Sequence, residues 1–115
     1  MTRPVVAFQI VGKSATALRE FYAEIFGWEM DTGPMGIITI KPGIGADPGG
    51  IGGTIFPGAE PRVVIFVQVL SLVDTLAKAV ELGGRRVMEP FDVPGGPTIA
   101  QMADPEGNVI GLVKQ

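Results

Sequence analysis

The sequence predicts an α+β fold made of two βαβββ modules, and three observations carry it. β-branched and aromatic runs bounded by Gly and Pro recur along the chain, each half holds one segment with helical spacing, and the punctuation of the halves repeats about 57 residues apart. At 115 residues the chain has the size of one ordinary domain, and 46% hydrophobic against 18% charged residues is enough to build a core. The expectation is a single domain, 1–115, of two repeated modules at about 4–57 and 61–115.

Val5 to Val11 is β-rich and closes on Gly12, which predicts a first strand. Ser14 caps a helix in which Leu18, Phe21, Tyr22 and Ile25 form the apolar stripe, and Gly27 stands where a left-handed terminal residue is wanted. Strands are expected at Gly36 to Lys41 and Ile51 to Phe56, separated by a Gly/Pro-rich loop from Pro42 to Gly50. In the second half Arg62 to Val69 is a strand. Ser71, with Asp74 three residues on as in a capping box, opens a helix that buries Val73, Leu76, Ala77 and Val80 and ends at Gly83-Gly84. Strands follow at Arg85 to Met88, Thr98 to Ala103 and Asn108 to Lys114, the last two joined by the turn Asp104-Pro105-Glu106-Gly107-Asn108. The caps Ser14 and Ser71 stand 57 residues apart and the glycines Gly27 and Gly83 stand 56 apart, which predicts an internal repeat.

Composition narrows the function. Nine Lys and Arg against 12 Asp and Glu give a net charge of −3 without a basic cluster, so nucleic acid is not an expected partner. The chain has no Cys and no His, which removes thiol nucleophiles, Ser/His/Asp triads and imidazole metal sites. Met1 to Ala7 lacks the apolar run of a signal peptide, and the longest apolar stretch, Val63 to Val73, falls well short of the roughly 20 residues that span a bilayer. A cytoplasmic protein with no membrane partner is expected.

Phe8-Gln9-Ile10, Phe21-Tyr22 with Phe26-Gly27-Trp28, Leu82-Gly83-Gly84, Val93-Pro94-Gly95-Gly96 and the run Asp104 to Leu112 together resemble the vicinal oxygen chelate superfamily of glyoxalases, bleomycin resistance proteins and extradiol dioxygenases. The resemblance covers about Val5 to Val113. It implies two βαβββ modules forming cupped mixed sheets, a homodimer, and in the enzymes a divalent metal held by one His or Glu from each of four strands. Carried over residue by residue, those ligand positions fall on Ala7, Thr54, Val64 and Gly111, the last in Ile110-Gly111-Leu112 where family enzymes read Ile-Glu-Leu. A metal of this kind needs several imidazole, carboxylate or thiolate donors, and these four residues supply one hydroxyl, so no metal and no cofactor are expected and no catalytic residue is assigned.

Strand parity then gives the cup lining: Val5, Gln9 and Val11 share a face with Ala7, Phe66 and Gln68 with Val64, and Val109 and Val113 with Gly111. The candidate ligand-binding residues are Ala7, Gln9, Thr54, Val64, Phe66, Gln68 and Gly111, with Trp28 as a stacking surface that core packing explains at least as well. Asp104 and Glu106 are better explained by their turn than by acid-base chemistry, and Gly43 to Gly53 lacks the lysine and hydroxyl of a phosphate loop. The reading is a metal-free protein that binds an apolar or planar small molecule. The alternative is a metal-dependent lyase, isomerase or dioxygenase, and a pure interaction module is a third. Two fillings of the cup fit the sequence equally: a small ligand, or side chains and a partner subunit.

Overall fold

A computed structural model describes residues 2–41 and 50–114. The part of the expected loop at 42–49 lies outside the described residues. Two compact units divide the chain, one over Val6–Val63 and one from Val64 onward that also takes the residues up to Val5.

The first unit runs β1 (Val5–Gly12), α1 (Ala15–Phe26), β2 (Glu29–Thr32), β3 (Ile38–Lys41) and β4 (Gly52–Pro57). Its strands lie in the order β2-β3-β4-β1, antiparallel except for the parallel pair β1/β4. Ser14 is the cap of α1, its Oγ accepting from the Ala17 N–H at 3.2 Å, and Gly27 closes the helix at φ 69°. β2 was not expected from the sequence: Glu-Met-Asp-Thr has one apolar residue and low strand propensity. It pairs with β3 because Met30 reaches the core and Asp31 meets Lys41 in an ion pair at 2.8 Å.

The helix stripe also needs correction. Ile10, Met30, Ile38, Ile40 and Ile55 form the core, with Phe8, Ala15, Leu18, Tyr22 and Trp28 packed against it. Phe21 and Ile25, expected to be buried, are 57% and 58% exposed. The helix is rotated so that Ala15, Leu18 and Tyr22 meet the sheet, while the Arg19 guanidinium bonds the Met30 carbonyl and the Thr32 hydroxyl at the edge strand. Apolar periodicity marked a stripe wider than the surface available to cover it.

The second unit repeats the order: β5 (Arg62–Val69), α2 (Leu72–Glu81), β6 (Arg85–Asp92), β7 (Thr98–Ala103) and β8 (Val109–Lys114), arranged β5-β8-β7-β6 with β5/β8 parallel. Ser71 Oγ accepts from the Asp74 N–H at 3.1 Å, and Gly83 ends the helix region at φ 98°. Val69, Leu72, Leu76, Ala100 and Leu112 form this core. Val73 and Val80 are exposed rather than buried, and Leu72 takes the place given to Val73, again by a rotation of the helix about its axis. β6 runs four residues past its expected end through two register shifts, at Arg86/Met88 and Met88/Phe91, which the irregular pattern of its side chains concealed.

The repeat holds at the level of register. Gln9 pairs with Thr54 in the first unit and Phe66 with Gly111 in the second, each partner 57 residues from its counterpart. The α+β class and the βαβββ order of both halves are those expected.

Candidate functional site

The side of each sheet that does not bear the helix holds the candidate residues. In the first unit the even-numbered β1 residues Phe8 and Ile10 enter the helix-side core, so Ala7, Gln9 and Val11 face the other way. Register then runs a row across four strands: Gln9 on β1, Thr54 on β4, Thr39 on β3 and Asp31 on β2. Adjacent strands are about 4.8 Å apart, so the row places an amide, two hydroxyls and a carboxylate along about 15 Å. Gln9 is buried, whereas Thr39 and Asp31 are exposed at the outer end. The Lys41 ammonium beside Asp31 holds that carboxyl below its usual range by hydrogen bond and charge, and the Lys41 value is raised in return. Thr39 and Asp31 escaped sequence reasoning because their membership depends on the unrecognised pairing of β2.

In the second unit Val67, Val69, Ala100, Met102 and Leu112 pack with α2, which turns Val64, Phe66, Gln68, Gln101 and Gly111 to the opposite side. The equivalent row reads Phe66, Gly111, Gln101, Met88 across β5, β8, β7 and β6. Gln68 lies one step along, opposite Val113. Gln101 is the residue sequence reasoning missed. Thr98 to Ala103 gave no parity signal of its own, and only the pairing of Gln101 with Gly111 settles which side it takes. It is buried and has polar company, since no buried side-chain nitrogen or oxygen among the described residues lacks a hydrogen-bond partner.

Whether these faces fit a divalent metal is a question of donor chemistry. Shared register makes Ala7 equivalent to Val64 and Thr54 to Gly111. The first unit offers a methyl and a hydroxyl at those positions. The second offers an isopropyl group and a hydrogen. Transition metals take several nitrogen, sulfur or carboxylate ligands at about 2.0–2.3 Å, and neither pair meets that need. Among the described residues no group of three or more His, Cys, Asp or Glu is placed to hold an ion.

Two candidates belong elsewhere. Trp28 lies on the helix side of the first unit, stacked with Tyr22 at 5.2 Å and beside Phe8 at 5.6 Å, and so is core packing rather than a surface on the face of Gln9. Asp104 locks its turn: its Oδ1 accepts from the backbone N–H of Glu106 and Asn108, its Oδ2 from the Asn108 amide, each at 2.9 Å. Those donors hold the carboxyl below its ordinary value, with the Asn108 side chain the largest cause. A cleft of about 350 Å³ in the first unit opens at the start of α1 beside Lys13, Thr16, Arg19 and Thr32. None of the expected site residues lines it.

Residues 7–113 match the family model described as a glyoxalase-like domain. The chain belongs to the glyoxalase-like family. Among solved structures, this glyoxalase-like chain is similar to a single-residue variant of the Streptomyces coelicolor methylmalonyl-CoA epimerase in complex with 2-nitronate-propionyl-CoA, at 17% identity and a TM-score of 0.70, covering 100% of this chain and 96% of that one. It is similar to a glyoxalase/bleomycin resistance protein/dioxygenase superfamily member from Vibrio splendidus at 14% identity and a TM-score of 0.64, covering 99% and 100%. It is also similar to the Mn(II)-bound glyoxalase from Novosphingobium aromaticivorans at 25% identity and a TM-score of 0.61, covering 97% of this chain but 38% of that one. No curated protein sequence matches the chain. At these identities the likeness establishes the fold. No helix among the described residues is long and apolar enough to cross a membrane.

Proposed function

We propose that this glyoxalase-like protein binds an apolar or planar small molecule against the helix-free faces of its modules without a metal, and that it catalyses no metal-assisted step. The observation that carries the reading is the donor set at the four ligand positions, Ala7, Thr54, Val64 and Gly111, where one hydroxyl stands in place of four coordinating side chains. What these faces do offer is apolar surface with a few placed amides and hydroxyls, Gln9 and Thr54 in one unit, Gln68 and Gln101 in the other. That composition suits a ligand held by burial and oriented by hydrogen bonds. An amide neither accepts a proton near neutral pH nor coordinates a hard or borderline metal strongly, which supports binding over catalysis. The reading takes the protein as a cytoplasmic homodimer, an assembly that sedimentation at micromolar concentration tests.

The likeness to a Mn(II)-bound glyoxalase favours the second reading, a metal-dependent lyase, isomerase or dioxygenase. A thermal-shift series separates them, because a ligand that binds only the folded state raises the melting temperature. Metal-stripped protein is melted with Zn²⁺, Ni²⁺, Mn²⁺ and Fe²⁺ in turn, then with a panel of small aromatic and antibiotic-like molecules. The binding reading expects a saturable rise with a member of the panel and none with the ions. A saturable rise with one ion overturns it in favour of the metalloenzyme, and no rise with either set leaves an interaction module.

A further inference from the structure

Phe66 and Gly111 face each other across the parallel pair β5/β8. A Cβ placed on Gly111 would lie 2.5, 2.6 and 2.7 Å from three carbons of the Phe66 ring, far inside van der Waals contact. The ring therefore lies flat over the backbone of residue 111, and Phe66 itself is only 5% exposed. At the equivalent place in the other unit, Gln9 and Thr54 both carry side chains. An aromatic ring over a glycine also occurs there, Phe8 over Gly53, but on the helix side, where it is ordinary core packing. Only in the second unit does such a ring cover the candidate binding face. The neighbours on that face, Val64, Gln68, Ile99, Gln101, Val109 and Val113, carry no charge.

We propose that Phe66 is the specificity-determining residue of this face: its ring takes the volume that a ligating side chain at position 111 requires, and fits the face to an uncharged, flat portion of a ligand instead of a chelated ion. This deepens the binding reading above and rests on it for the identity of the face, whereas the exclusion itself rests on the Phe66–Gly111 contact alone. A carboxylate introduced at 111 cannot reach an ion while the ring remains, because its own Cβ has no room.

The test installs donors in this unit. Val64→His with Gly111→Glu places an imidazole and a carboxylate on adjacent strands, and the pair is made with Phe66 retained and with Phe66→Ala. Zn²⁺ is titrated by calorimetry, and melting is followed with and without Zn²⁺. Binding at least tenfold tighter in the Phe66→Ala background, with a Zn²⁺-dependent rise in melting temperature found only there, is expected. Equal Zn²⁺ affinity in the two backgrounds overturns the proposal. Should the grafted pair fail to fold with Phe66 present, Gly111→Ala decides: its melting loss shrinks in the Phe66→Ala background if the ring is the obstacle, and an unchanged loss overturns the proposal. Failure of every small molecule to stabilise the wild-type protein would remove the binding reading while leaving this exclusion result intact.

Discussion

Replacing Leu76 by Ala tests the orientation of α2, on which the assignment of the opposite face as the candidate site depends. Leu76 is 0% exposed and sits among Val69, Leu72, Ala100 and Leu112. Truncation removes three carbons from that core, about 2.4 kcal/mol of transfer free energy at about 0.8 kcal/mol per carbon. The neighbours are strand and helix residues that cannot collapse freely into the space, so a cavity penalty adds to this and the expected loss is about 3–4 kcal/mol. For a chain of this size that is a fall of roughly 10–20 °C in melting temperature. Val73, three residues back on the same helix and 62% exposed, serves as the control, and Val73→Ala should change stability by less than about 0.5 kcal/mol. Urea denaturation followed by far-UV circular dichroism measures both, with unchanged m-values required for the comparison. A larger loss for Val73→Ala than for Leu76→Ala would refute the helix orientation, and with it the placement of Phe66, Gln68 and Gln101 on the helix-free side.

Asp104 titrates below its ordinary value of 3.8 in the folded state, so its contribution to stability is present above that pH and is lost as pH falls through the lowered value. Melting from pH 5 to pH 2 should show the difference between wild type and Asp104→Asn shrinking toward zero at the acid end, and a constant difference would rule out the charge as its cause. Lys41→Met should bring the Asp31 carboxyl back up toward its ordinary value in an NMR titration, since the Lys41 hydrogen bond is the largest cause of its lowering. Ser71→Ala removes the acceptor for the Asp74 N–H and should cost about 1 kcal/mol in urea denaturation, with no change if water replaces it fully. Met35 holds φ 61°, a left-handed conformation costly to a side chain, so Met35→Gly should leave the melting temperature unchanged or raise it, whereas Gly36→Ala, at φ 71°, should lower it by about 1 kcal/mol equivalent.

Local chemistry was legible in the sequence. A hydroxyl followed by helical spacing marked both caps, Ser14 and Ser71, and a glycine able to take positive φ marked the ends at Gly27 and Gly83. The turn after β7 was readable because Asp104 and Asn108 supply its hydrogen bonds within five residues. Parity along one strand put Ala7 beside Gln9 on the side away from the core and Phe66 beside Gln68, since alternation needs only the strand itself. The spacing of 57 residues survived into the register of both parallel pairs.

What tertiary structure decided are the features that depend on a second element. An amphipathic pattern fixes that a helix has an apolar side, but the rotation that buries Leu72 and Leu76 and leaves Phe21, Ile25 and Val73 exposed is set by the sheet each helix meets. β2 exists through its partner β3, and the face of Gln101 through its partner Gly111. The sequence alone determined that the four ligand positions lack donors, because donor chemistry belongs to a residue by itself. That the ring of Phe66 lies over Gly111 is a contact between residues 45 positions apart, and a contact of that kind is written only in how the strands pair.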